Sequence, residues 1–173
     1  MATFRRLAYA GDSGGKNLGS KLMIFNRQRR TRVSLAELQQ FLVRARRTLH
    51  LPADSFAVSL VTNAQIAQWN RRYRGKTGPT DVLSFPAESA REPRRKNSRS
   101  NGNQAIGGNY LGDIAIAPAV ARRNARRFGR TFEQEMHILV LHGMLHLMGY
   151  DHETDRGQMD RREQKMRREL GLV

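Results

Sequence analysis

The pattern of hydrophobic and polar positions changes period along the chain, and these changes predict nine elements. Short apolar runs predict strands over residues 21–25, 56–61, 81–85 and 109–117. Apolar residues at helical spacing predict helices over 34–50, 62–74, 118–128, 131–148 and 154–170. In this order the elements predict an α+β domain, a small mixed β-sheet covered by helices.

Cap residues mark where three of the helices begin. Each candidate capping box has Ser or Thr followed three residues later by Glu or Gln, at Ser34/Glu37, Thr62/Gln65 and Thr131/Gln134. The helix that follows Thr131 is apolar on nearly every side, although it carries histidines. A helix of that kind belongs at the centre of a fold, so we expect it to be buried.

Two stretches of low apolar content lie outside this pattern. Residues 1–20 contain Gly and Ser without periodicity and predict a flexible N-terminal extension. They lack the apolar core of a secretory signal, and an organelle transit peptide is the alternative. Residues 87–108 are polar and basic and predict a mobile loop. The sequence therefore predicts a single domain over residues 21–173.

Three of the five histidines lie within residues 142–152. His142 and His146 are four apart on the predicted central helix, so they project from one face. Gly149 is a natural end for that helix, and the chain can then return His152 to the same place. Three neutral imidazoles with one open position are typical of a catalytic zinc site. We expect one Zn²⁺ per chain, although nickel or another divalent metal suits the same ligands.

The same spacing occurs in metzincin peptidases, H-E-x-x-H-x-x-G-x-x-H, with one difference. Position 143 is Gly where the peptidase has the Glu that acts as general base. Peptide hydrolysis by that route lacks a base unless Asp151 or Asp155 reaches the site. Asp151 can alternatively orient a histidine ligand through a hydrogen bond. His137 lies five residues before His142, so we expect it in the core or at its rim.

The net charge of the chain indicates which kinds of molecule the protein binds. Lys and Arg total 31 against 15 Asp and Glu, giving a net charge of +16 and a pI near 11.5. Such a chain is attracted to polyanions: nucleic acid, ribosomes or an anionic membrane surface. The absence of cysteine excludes disulfides and thiolate zinc sites. No apolar run is long enough to span a bilayer, and we expect a cytoplasmic protein without a membrane partner.

Three blocks of sequence carry a resemblance to a known family. "HGMLHLMGYDH" (142–152), "YRGKTGPTDVLSFP" (73–86) and "YLGDIAI" (110–116) resemble the YbeY family of endoribonucleases, over about residues 55–170. The resemblance implies a metal-dependent, single-strand-specific endoribonuclease in rRNA processing, above all at the 3′ end of small-subunit 16S rRNA, and in ribosome quality control. It implies the small ribosomal subunit or its factors as partners. It also implies zinc ligands at His142, His146 and His152, and a functional arginine at Arg74.

The chemistry of the residues agrees with this expectation. Arg74 can bind a phosphate through its guanidinium fork. Lys76 can contact a neighbouring phosphate or be a solvated loop residue, and Tyr150 and Asp151 are candidates for cleft contacts. Candidates that track the RNA backbone are Arg122, Arg126 and Arg127, with Arg94, Arg95, Lys96 and Arg99 of the basic loop. We expect Trp69 to anchor a helix to the core. The nucleophile, water or the RNA 2′-hydroxyl, stays open.

Two other functions remain as alternatives. A metzincin-like zinc peptidase is favoured by the histidine spacing and disfavoured by Gly143 and the positive charge. A non-catalytic RNA-binding or ribosome-binding metalloprotein would need only charge and a structural metal. The sequence shows no evident fourth protein ligand, which structural zinc sites have.

Overall fold

The computed structural model describes residues 23–87 and 110–173. Its elements are β1 (Met23–Asn26), α1 (Leu35–Thr48), β2 (Phe56–Leu60), α2 (Asn63–Arg74), β3 (Val82–Pro86), β4 (Gly112–Ile116), α3 (Pro118–Arg127), α4 (Phe132–Leu147) and α5 (Gln158–Glu169). Their order is the predicted one. The predicted N-terminal extension and nearly all of the predicted loop (88–108) lie outside the described residues.

The four described strands form one mixed sheet in the order β1-β2-β4-β3. β1, β2 and β4 run parallel, and β3 pairs antiparallel with β4 at the edge, with Val82 opposite Ile116 and Pro86 opposite Gly112. Pro86, one residue beyond the predicted strand 81–85, is the last residue of β3. A proline is tolerated there because an edge strand leaves one row of N–H positions unpaired.

Helices cover both faces of the sheet. The larger core joins Val58 and Ile114 of the sheet to buried residues of α1, α4 and α5. A smaller core on the other face joins Ala115 and Leu83 to Ile66 of α2. Every residue of β2 and β4 is therefore buried. This confirms the α+β class with α4 at its centre.

The three predicted caps begin their helices, but only one closes a reciprocal capping box in the described helices. The hydroxyls of Ser34, Thr62 and Thr131 each accept a bond from the backbone N–H three residues on. At Thr131 alone the return bond forms, from its N–H to the Gln134 side chain at 2.9 Å. This double cap stabilises the start of the helix that carries His142 and His146.

The last helix begins at Gln158, four residues after the predicted start. The carboxylate of Asp155 accepts hydrogen bonds from the N–H groups of Gly157, Gln158 and Met159 at 2.7–3.1 Å. These donors have no partner within the helix, so Asp155 satisfies its N-terminus. No helix in the described part of the chain has both the length and the apolar character to cross a membrane.

Candidate metal centre

His142 and His146 project from the same face of α4, one turn apart. Their Nε2 atoms are 3.1 Å apart and their ring centroids 4.7 Å apart. Both side chains are half-buried, whereas most other residues of α4 are buried in the core. The helix therefore presents two imidazole nitrogens to a common point outside the core.

A tight turn returns the third histidine to this point. Gly149 has φ +91°, its N–H donates to the His146 carbonyl, and the Tyr150 N–H donates to the Leu145 carbonyl. These are the two bonds of a Schellman motif, which needs a residue in the left-handed region. His152 then lies with its ring 5.3 Å from His142 and 5.2 Å from His146.

The three imidazoles fit a metal ion. One ligand atom from each lies within 4.8 Å of the others. Nitrogens bound tetrahedrally to zinc at about 2.0–2.1 Å would be about 3.3 Å apart, close to the His142–His146 separation. His152 is exposed, and its ligand atom completes the set within the same 4.8 Å. An all-imidazole set suits Zn, Cu, Ni or Fe.

A buried carboxylate holds His142 from behind. Oε2 of Glu163, on α5, is 2.9 Å from Nδ1 of His142, and Arg167 pairs with the other oxygen of Glu163. Burial acts to raise the pKa of Glu163, but the hydrogen bond and charge of His142 and the charge of Arg167 leave that pKa lowered. The ionised carboxylate favours a proton on Nδ1, which turns the Nε2 lone pair toward the site.

The environment also keeps His146 neutral. Burial lowers the pKa of His146, and the positive charges of His142 and His152 lower it further. Neutral imidazole is the form that binds a metal. The lowered pKa of His146 therefore favours the form of this ring that can bind a metal.

Gly143, where the peptidase has its base, faces the sheet. A Cβ atom there would lie 2.8 Å from Cγ2 and 3.1 Å from Cδ1 of Ile114. Its carbonyl accepts a hydrogen bond from the Ser84 hydroxyl at 3.3 Å. The glycine therefore lets α4 pack closely on β4 and β3, and a side chain at this position would not point into the site.

The histidines open onto a cleft of about 970 Å³. Side chains from the end of α2, the edge strand β3 and the turn after α4 line it, among them Tyr73, Arg74, Thr80, Asp81, Ser84, Phe85, Tyr110, Asp113, Tyr150, Asp151 and Glu153. Of the predicted site residues, the cleft brings together the three histidines, Arg74, Tyr150 and Asp151. Four of the predicted residues do not line it: Lys76, Arg122, Arg126 and Arg127.

Arg74 reaches the site across a long sequence separation. It is the last residue of α2, before Gly75 in the left-handed region. Its guanidinium pairs with the carboxylate of Glu153, the residue after His152. Lys76 Nζ lies 3.7 Å from the same carboxylate. Glu153 thus contacts the positively charged groups of both Arg74 and Lys76 and lies next to His152 in the chain.

The two aspartates considered as bases have other partners. Asp151 accepts hydrogen bonds from the Glu153 N–H at 3.0 Å and the Thr154 hydroxyl at 3.2 Å. The Glu153 N–H lowers the pKa of Asp151, although the desolvation of this carboxyl opposes the shift. Asp155 caps α5. Among the described residues, the carboxylate that hydrogen-bonds a histidine of the centre is therefore that of Glu163, whereas Asp151 acts on His146 and His152 through its charge.

The sequence reasoning missed Glu163, Glu153 and Asp113. Glu163 lies between Met159 and Met166 on the buried face of α5, so a carboxylate within an apolar stripe was the available signal. Asp113 is buried within β4 and accepts a hydrogen bond from the Tyr110 hydroxyl at 2.8 Å. A charge inside an apolar strand was its signal, whereas nothing in the sequence places Glu153 on Arg74.

Two further residues lie as predicted. His137 stacks on Phe41 of α1, with centroids 4.1 Å apart and rings 12° from parallel. Its pKa is lowered by burial and by the charge of Arg44, against the smaller effects of Glu37 and Glu133. Trp69 packs on the smaller core and meets Phe85 edge-on at 5.8 Å.

Comparison with known proteins gives consistent results. The family model described as "Endoribonuclease YbeY" matches residues 23–171. The chain is 43% identical over 130 residues to the "Endoribonuclease YbeY" of Solibacter usitatus, covering 74% of this chain and 76% of that protein. For the protein of the same name from Caldanaerobacter subterraneus, identity is 38% over 159 residues, 87% of this chain and 98% of that one. The solution structure of TM1509 from Thermotoga maritima superposes with a TM-score of 0.54 at 28% identity, covering 86% and 88% of the two chains.

Proposed function

Because this chain belongs to the YbeY endoribonuclease family, we propose that it is a zinc-dependent endoribonuclease that cleaves single-stranded RNA in the cleft. One observation carries the proposal: three imidazoles with an open side face the cleft into which Arg74 projects. His142, His146 and His152 would hold the ion. When bound, a divalent metal supplies Lewis-acid polarisation of a phosphoryl oxygen at neutral pH.

Arg74 supplies the second positive contact to the phosphate. Its side chain is 36% exposed at the cleft wall, so an RNA phosphate can reach its fork. A bidentate guanidinium–phosphate contact fixes orientation as well as charge. The Glu153 carboxylate holds Arg74 beside His152 in the absence of RNA. When RNA binds, its phosphate would replace Glu153 as the partner of the guanidinium. Lys76 does not line the cleft, but its Nζ lies 3.7 Å from the same Glu153 carboxylate, and it would bind a neighbouring phosphate of the strand.

Aromatic side chains in the cleft favour an unpaired strand. Tyr73 is 41% exposed at the cleft wall and Tyr150 is half-buried there. Bases that are free of a duplex can stack on such rings, whereas those of an A-form helix are already stacked on each other. The lining of the cleft thus supports the proposed preference for single strands.

The cellular role that we propose is supported by the family resemblance alone. We place the activity in rRNA processing, at the 3′ end of small-subunit 16S rRNA and in ribosome quality control. The small ribosomal subunit or its factors would be the partners, in the cytoplasm. The positive charge of the chain supports a polyanionic partner of this kind.

The activity is tested on substrates of three classes. The zinc-loaded protein, free of contaminating nuclease, is incubated with single-stranded RNA, double-stranded RNA and casein, with and without chelator. We expect cleavage of single-stranded RNA that chelator abolishes. Cleavage of casein without RNA cleavage would favour the peptidase, and RNA binding without cleavage in any metal would favour the non-catalytic alternative.

A further inference from the structure

The end of α3 carries an exposed aromatic ring in a strongly basic surface. Phe128 is 54% exposed, the most exposed aromatic side chain among the large hydrophobic residues of the described chain. Residues 118–130 contain five arginines and no acidic residue. We call Arg123, Arg126, Arg127, Phe128 and Arg130 the α3 patch. Nothing in the cleft chemistry uses it.

The patch is held by a defined turn. Gly129 has φ +64°, its N–H donates to the Arg126 carbonyl, and the Arg130 N–H donates to the Ala125 carbonyl. This Schellman motif fixes Phe128 and Arg130 at the end of the helix. Nη1 of Arg130 is also anchored 2.9 Å from the buried carboxylate of Glu135. The ring is thus presented on a rigid support.

Two guanidinium groups lie against this ring. The Cζ atoms of Arg130 and Arg127 are 5.2 and 5.6 Å from its centroid. Arg130 is anchored, whereas Arg127, Arg126 and Arg123 are exposed and can turn to a ligand. An aromatic platform beside exposed guanidiniums can bind single-stranded nucleic acid, with a base on the ring and the phosphates on the arginines.

The patch adjoins the cleft. Nδ2 of Asn124, one turn before Phe128, donates to the Asp81 carboxylate at 2.8 Å. Asp81 lines the cleft where β3 begins. Phe128 follows Asn124 by four residues and lies roughly 6 Å further along the same side of α3. The aromatic ring of the α3 patch therefore lies about one helical turn beyond the residue that contacts Asp81.

We propose that the α3 patch is a second binding site for single-stranded RNA, in which an unpaired base stacks on Phe128 and Arg123, Arg126 and Arg127 bind the adjoining phosphates. The site lies outside the cleft and holds the part of the strand that has left it. The inference rests on the proposed action on RNA. Its chemistry requires both a base and a phosphate chain, which separates it from a site for any polyanion.

The test measures RNA binding by the full-length zinc-loaded protein, read as fluorescence anisotropy before cleavage accumulates. The probes are single-stranded RNAs of about 4 and about 16 nucleotides, spanning the usual site sizes, and a 16-unit strand without bases. Phe128→Ala should weaken binding of the base-containing 16-mer by roughly 5- to 150-fold, as expected for one lost stack. It should leave the 4-mer and the abasic strand unchanged.

Two variants act as controls. Phe128→Trp keeps an aromatic platform and should bind the 16-mer like the wild type; since the chain has one other tryptophan, Trp69, its new fluorescence should be quenched by the base-containing strand alone. Leu35→Ala removes another exposed apolar side chain, on α1, and should change nothing. Equal affinity of wild type and Phe128→Ala for the 16-mer overturns the proposal. So does an equal loss on the abasic strand, or on polyglutamate as a protein-like polyanion.

The binding readout separates this site from the cleft activity. Suppose that the wild type cleaves no RNA, but Phe128→Ala still weakens binding of the base-containing 16-mer and of no other strand. The cleavage proposal then fails and the α3 patch stands. If cleavage occurs and the Phe128 variants bind all strands like the wild type, only the α3 patch is rejected.

Discussion

Nδ1 of His142 and Oε2 of Glu163 lie 2.9 Å apart, joining a half-buried ring on α4 to a buried carboxylate on α5. The contact ties the last helix of the chain to the candidate metal centre. Hydrogen bonds of this kind fix the tautomer and the orientation of metal-binding histidines. The stability of α5 packing and the affinity for metal are therefore linked through Glu163.

Replacement of Glu163 by Gln should weaken zinc binding by roughly 10- to 100-fold, because the neutral amide orients His142 less firmly. Zinc affinity is measured by competition with a chromophoric chelator. Glu169→Gln is the matched control, since Glu169 lies on the same helix in an exposed pair with Lys165 at 3.9 Å. Unchanged affinity in the Glu163 variant would remove this carboxylate from the account.

Substitution of Arg74 should reduce RNA turnover without changing metal binding. Arg74→Glu is expected to keep one zinc per chain and the native fold, because the residue ends α2 at an exposed position. The rate of RNA cleavage should fall by about 100-fold or more, because the variant loses charge stabilisation of the transition state. Single-turnover cleavage is the readout. Arg71→Glu, one turn earlier on α2 and outside the cleft, is the control. Full activity of Arg74→Glu would contradict the assignment.

Gly143→Ala should destabilise the protein, although alanine is the better helix former. The added Cβ would meet Ile114 at 2.8 Å, and overpacking of this kind costs about 1–3 kcal/mol. Urea denaturation of the metal-free and zinc-loaded forms gives the free energy of unfolding. Combined with Ile114→Ala, the substitution should cost less than it does alone. A gain in stability on Gly143→Ala would show that α4 does not pack this closely.

The pH dependence of the free energy of unfolding should reveal the protonation of His137. Its pKa is lowered in the folded state by burial and then by Arg44, so between pH 6.5 and that lowered pKa the unfolded chain binds a proton that the folded one does not. The contribution of His137 to stability is therefore full above about pH 6.5 and is lost as the pH falls toward the lowered pKa. His137→Phe removes this loss, so its stability relative to the wild type should rise between pH 7 and 5. Denaturation of the metal-free proteins at each pH measures it, and parallel profiles would refute the expectation.

The residues that could be predicted from the sequence are those whose role depends on local spacing. The four-residue step from His142 to His146 and the Gly149 turn determine most of the centre, so the cluster followed from helical geometry. The caps and the order of elements were local signals too. Long-range contacts could not be predicted in this way: β3 joins the sheet antiparallel beside β4, and Arg74 meets Glu153 across 79 residues. These depend on how the helices and strands pack in three dimensions.

The alternatives considered for Asp151 show the same limit. Sequence proximity to His152 suggested that it orients a histidine, whereas its carboxylate accepts local bonds within its own turn. The contact is made by Glu163, 21 residues from His142 and adjacent only after α5 packs on α4. Asp155, the other nearby acid, is occupied at the start of α5.

The central claim is that RNA cleavage requires one metal ion held by His142, His146 and His152. Zinc is titrated into the chelator-treated protein while bound zinc per chain and cleavage of single-stranded RNA are measured in the same samples. We predict that cleavage is absent without metal and reaches its plateau at one zinc per chain, and that His146→Ala neither binds zinc stoichiometrically nor cleaves. Full cleavage by the metal-free protein, or unchanged zinc content in His146→Ala, would contradict the account.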